Sequence, residues 1–125
     1  LPGDLDMEVI ALKDSFQAIY ESRVAMHNEA VASGQMSGNM KVSDQLPFRE
    51  SFQSYLRKLI EKYPTDTIEH AFVAYCDQVL GGQLRPESFM GYFLHYNAVT
   101  DEFPIFNTCL DAYVTTYSYG KPNNS

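Results

Sequence analysis

Two runs, FRESFQSYLRKLIEKY at Phe48–Tyr63 and TDTIEHAFVAYCDQVL at Thr65–Leu80, stand between Pro47 and Gly81-Gly82 and are separated by a single proline, Pro64. Together they predict two adjacent amphipathic helices, the middle of an all-α chain. In the first, Phe48, Phe52, Tyr55, Leu56, Leu59, Ile60 and Tyr63 recur at spacings of three and four and so share one helical face. Arg49, Glu50, Arg57, Lys58, Glu61 and Lys62 occupy the other, with Arg57 and Glu61 spaced to pair. In the second, Ile68, Ala71, Phe72, Tyr75, Cys76, Val79 and Leu80 make the apolar stripe, with Asp66 as the expected N-cap and Glu69 three residues on. Pro64 ends one helix, and the glycine pair ends the other in the manner of a left-handed cap.

Towards the N-terminus, Val9, Leu12, Phe16, Ile19, Tyr20 and Val24 predict a long helix over about Leu5 to Ala32, with Asp4 and Asp6 at its electropositive end. No glycine or proline interrupts it between Gly3 and Gly34. Ser33 to Asp44 is polar, rich in turn residues and without a stripe, so it reads as a long connection. It lacks the full phosphate-loop pattern of spaced glycines followed by Lys and Ser or Thr.

Towards the C-terminus, Pro86 opens a predicted fourth helix through Tyr96. It is apolar nearly all round (Phe89, Met90, Tyr92, Phe93, Leu94 and Tyr96) and therefore expected at the centre. Gly91 in its middle is expected to admit a neighbouring helix. Thr100-Asp101-Glu102 signals a fifth helix carrying Phe103, Phe106, Leu110, Tyr113, Val114 and Tyr117, and the β-branched, aromatic run Val114–Tyr119 is expected to fray or turn extended. The reading is an all-α, compact bundle of about five helices with a long polar loop after the first. It forms a single helical domain over 1–119, followed by a flexible tail over 120–125.

With 125 residues, 45% hydrophobic, 20% charged and 14% aromatic, the chain has enough apolar surface for one core without disulfides or metals. The composition excludes intrinsic disorder, and no apolar run reaches the ~18 residues of a membrane span. Cys76 and Cys109 sit inside apolar stripes with no metal or redox spacing, so both are expected as reduced core thiols in a cytoplasmic protein. The net charge of −7 is uneven: residues 1–63 hold nine acids and seven bases, residues 64–125 seven acids and two bases. That imbalance disfavours nucleic acid as a partner of the second half.

Catalytic patterns are missing. His27, His70 and His95 belong to no metal-binding motif; Asp66 and His70 are four apart on one helix, a spacing that an ion pair explains as well as a metal. His95, among Leu94 and Tyr96, is the histidine most open to a pH-responsive role. No nucleophile elbow or local Cys-His signature occurs, so no enzyme activity and no cofactor are expected. A helix-turn-helix reading of the Gly81-Gly82 turn fails because the would-be recognition helix offers Glu87, Phe89, Met90 and Tyr92 to the bases.

Nine Tyr and eight Phe exceed what a small bundle needs, and tyrosine favours places where one end of the ring is dry and the other wet. Tyr113, Tyr117 and Tyr119, with Met36 and Met40 of the long loop, are the candidate partner-binding residues; the competing reading is packing within the chain. The expected function is a small protein-binding regulatory or adaptor module that binds another protein or itself. The alternative is a nucleic-acid-associated accessory protein using the basic flank Arg49, Arg57, Lys58 and Lys62.

Overall fold

The computed structural model describes residues 2–36 and 42–119. Among these residues it is an all-α bundle of five α-helices: α1 (Pro2–Ala32), α2 (Gln53–Lys62), α3 (Thr65–Leu80), α4 (Phe89–Phe93) and α5 (Pro104–Tyr113). A 3-10 turn, Glu50–Phe52, leads into α2, and a π-helical turn, Val114–Tyr119, continues α5. No strand occurs among the described residues; Asn97 and Glu102 form an isolated antiparallel bridge across a tight turn. Met40 and the tail 120–125 lie outside the described residues.

Side-chain pairings give the directions. Asp6 meets Arg57 and Lys13 lies over Phe48, so α2 runs antiparallel to α1. Phe16 meets Phe72 and Arg23 meets Asp77, so α3 runs parallel to α1; Tyr63–Phe106, His70–Tyr113 and Tyr117–Asp77 advance together, so α5 runs parallel to α3. The core gathers on α3, where Ile68, Ala71, Phe72, Ala74, Tyr75 and Cys76 are all buried between α1 and α5. Phe16 stacks on Phe72 at 4.0 Å, Phe72 meets Phe93 edge-on at 5.4 Å, and Phe93 meets Phe106 edge-on at 6.0 Å. One chain of rings thus joins α1, α3, α4 and α5, in the offset and edge-on geometries that the aromatic quadrupole favours.

Several local expectations change. The fourth helix is only five residues long, and α3 takes the central place expected of it; Leu94 is buried just beyond the helix, so the apolar run Phe89–Leu94 reflects a buried turn. Gly91 admits no neighbouring helix: a Cβ there would lie 2.7 Å from Ser88 Oγ, the side chain that caps α4 by accepting the Gly91 N–H at 3.0 Å. Helix α3 starts at Thr65 with Pro64 at the N-cap, and Asp66 in the first turn accepts the Thr67 N–H. Arg57 pairs with Asp6 of α1 instead of Glu61. Val114–Tyr119 stays helical with a widened turn, and Cys76 and Cys109 are buried free thiols.

The described end of the long connection is pinned along α1 by amides. Asn28 donates to the Val42 carbonyl and accepts the Val42 N–H, both at 3.0 Å, and Gln17 does the same for Asp44 (2.9 Å) and Leu46 (3.1 Å). Buried Leu46 anchors this limb to the core. At the other end of α3, Gly82 has φ +85°; Gln83 N–H donates to Gln78 and Gly82 N–H to Val79, the double bond of a Schellman cap.

Candidate functional site

Phe16, Tyr20, Arg23 and His27 follow one another on the inner side of α1 at spacings of four, three and four, which delivers a guanidinium to the end of the core. Asp77 follows buried Tyr75 and Cys76 on α3 and meets it there. Arg23 Nε donates to Asp77 Oδ1 at 2.9 Å and Nη2 to Oδ2 at 2.6 Å, a two-pronged bond. Tyr117 hydroxyl donates to the same Oδ2 at 2.5 Å. The two charged side chains keep 23% and 35% of their surface, so the pair is partly screened. Asp77 raises the Arg23 pKa above its ordinary value, while burial, and then the bond to Asp77, raises that of Tyr117. The arginine therefore stays charged and the phenol protonated at neutral pH.

Tyr113, one turn earlier, is half-buried between two rings: His70 stacks on it at 4.5 Å with a 3° interplanar angle, and Tyr117 at 4.6 Å. His70 is thereby drawn into a stack instead of pairing with Asp66. His95 is exposed, not partly buried. Among the described residues, no group of three or more His, Cys, Asp or Glu side chains converges on a point where a metal ion could sit.

Asp77 forms a wall common to two clefts. One, of about 250 Å³, lies between α1 and the end of α3 and is lined by Arg23, Met26, His27, Ala30, Met36 and Leu80. It is mostly apolar; Met26 keeps 58% of its surface exposed, and His27 Nδ1 is buried with no hydrogen-bond partner among the described residues. The other, of about 400 Å³, lies against α5 and the π-helical turn between Ala74, Gln78, Gln83, Ala112, Thr116 and Tyr117.

The structure therefore brings Met36 and Tyr117 to opposite sides of one ion pair and sets Tyr113 beside them. The Tyr119 side chain, like Met40, lies outside the described residues. The sequence reading weighed His27 only as a histidine outside any metal motif, and missed Arg23, Met26 and Asp77. Its available signal was a charged residue on each of two otherwise apolar stripes, Arg23 after Tyr20 and Asp77 after Cys76.

The basic flank of α2 is engaged within the chain. Arg57 pairs with Asp6, and Lys62 Nζ lies 3.2 Å from Asp101 Oδ2 and also donates to the Asp101 carbonyl. Lys58 Nζ sits 5.0 Å from the Tyr96 ring centroid, and Arg49 is exposed ahead of the 3-10 turn. No protein-family profile, curated protein or solved structure matches the chain.

Proposed function

We propose that this chain is a protein-binding module, an adaptor or regulatory subunit, that receives an apolar side chain of its partner in the cleft of Met26 and Met36. The observation that carries this reading is that cleft: an open apolar recess in which a largely exposed methionine stands beside a fixed ion pair. Methionine adapts its shape to different apolar surfaces, and a large exposed apolar residue beside a recess is where docking removes most surface from water. Tyr117 lines the neighbouring cleft, with Tyr113 stacked behind it, so a partner segment crossing Asp77 would meet Tyr117. The compartment proposed is the cytoplasm.

The alternative, an accessory role on nucleic acid, draws on Arg49, Arg57, Lys58 and Lys62. It is the weaker reading, because two of these cations are ion-paired and a third rests on a ring, within a chain of net charge −7.

Affinity capture with the full chain tests the proposal. Met26→Asp is expected to lose a specific partner that Val99→Asp, at a residue 95% exposed and away from the cleft, retains. An identical set of captured proteins for the two variants would defeat it. A salt-sensitive mobility shift with RNA or DNA, abolished by Lys58→Glu with Lys62→Glu, would favour the alternative.

A further inference from the structure

Helix α1 is apolar on two sides. Its inner side buries Val9, Leu12, Phe16, Tyr20 and Val24, yet on the outer side Met7 and Ile10 keep 69% and 57% of their surface exposed. Ala11, Ala18 and Ala25, all exposed, continue that outer side at intervals of seven. Acids share this side, so Met7, Ile10 and the alanine methyls form an apolar ridge interrupted by carboxylates and without a partner among the described residues. From Met7 to Glu29 the ridge spans about 33 Å at the α-helical rise.

Among the described residues, the exposed charges along the ridge have one sign. Asp14, Glu21 and Glu29 are exposed along it. Both bases of the helix turn inward: Lys13 Nζ sits 5.1 Å from the Phe48 ring centroid, and Arg23 is held by Asp77. A second copy docked here would set acid against acid, and an anionic membrane or nucleic acid would be repelled for the same reason. A seven-residue spacing of small residues suits a helix lying alongside with its own apolar residues in heptads, close enough to cover the alanines.

We propose that the outer side of α1 docks a basic amphipathic helix of another protein, with heptad-spaced apolar residues against Met7, Ile10 and the alanines and Lys or Arg facing Asp14, Glu21 and Glu29. This rests on the protein-binding reading above but concerns a surface separate from the Met26–Met36 cleft.

The test is selection of a phage-displayed library of helical peptides against the full chain. The expected winners carry apolar heptads flanked by Lys and Arg. Their binding should weaken on the order of tenfold with Asp14→Lys plus Glu21→Lys and as salt rises from roughly 0.05 to 0.5 M, and Ile10→Asp should remove it. Unchanged circular dichroism and melting of these surface variants show that the fold is intact. Winners that are acidic or uncharged, binding indifferent to Ile10→Asp, or no enrichment at all would overturn the proposal. So would a dimer seen by light scattering that Ile10→Asp dissolves, since the occupant would then be a second copy. If the library selects nothing while Met26-dependent capture persists, this inference fails alone; if both are lost, the protein-binding reading fails with it.

Discussion

Asp77 accepts three donors, two from Arg23 and one from Tyr117, and so ties α1 and the π-helical turn to α3. Asp77→Ala leaves a guanidinium facing the core end without its counter-ion. Because both side chains are partly exposed, the expected loss is about 1–2 kcal/mol, read as a lower urea midpoint with unchanged slope. Tyr117→Phe should cost less, about 1 kcal/mol, and less again once Asp77 is gone, where only the long bond from Arg23 Nη2 to the hydroxyl, 3.4 Å, is left to lose. The buried thiols give a second residue-scale prediction. Burial pushes the Cys109 thiol up to about 12, and also raises Cys76 and Tyr75. Groups whose folded pKa is raised add stability that is complete below their unfolded values, about 8.5 for a thiol and 10 for a phenol, and is lost as pH rises through the folded values. The chain should therefore be less stable at about pH 11 than at about pH 8, and both thiols should resist a thiol reagent at about pH 8 until the chain is unfolded. Stability that does not fall over that alkaline range would contradict their burial. The Arg23–Asp77 pair itself could not be read from the sequence: periodicity assigns each residue to a helical face, but not which of the faces 54 positions away it meets.

Among the elements, α1 and α3 were legible because each is a long apolar stripe bounded by glycine or proline, and such patterns have one low-energy reading. The second stripe predicts a helix from Pro47 onward, but α2 begins only at Gln53, after an extended entry at Arg49 and the 3-10 turn Glu50–Phe52. The α4 segment was not legible. Its aromatic run satisfies a helical stripe and a buried turn equally well, and what shortens the helix is the Ser88 cap at one end and the departure of the chain after Phe93 at the other. Gly91→Ala is the discriminating substitution. Helix propensity alone predicts a gain of roughly 1 kcal/mol, whereas the 2.7 Å approach to Ser88 Oγ predicts a net loss through the broken cap, seen as a lower melting temperature. Gly82→Ala should also destabilise by about 1 kcal/mol, because only glycine takes φ +85° without strain. In the ring chain that joins four helices, Phe72→Ala should cost about 3–5 kcal/mol in chemical denaturation, the range for deleting a fully buried ring.

For the whole molecule, the net charge of −7 resolves into positions. Five of the bases are drawn inward, paired or laid on a ring: Arg23 to Asp77, Lys13 over Phe48, Arg57 to Asp6, Lys58 over Tyr96 and Lys62 to Asp101, while Arg49 and Arg85 stay exposed. Acids such as Asp14, Glu21 and Glu29 remain on the surface. No helix among the described residues is long and apolar enough to cross a membrane. The large apolar side chains that stay outward include Met7 and Ile10 on the α1 ridge, Met26 at the cleft and Val99 in the turn before α5; of these only Met26 lines a cleft, and the proposed function stands on it. The most direct measurement is site-specific photo-cross-linking in the native cell, with the reactive side chain at Met26 and, as control, at Val99. A discrete cross-linked polypeptide at position 26, lacking at 99, is the predicted result. Position 26 yielding no adduct, or the same adducts as position 99, would contradict it.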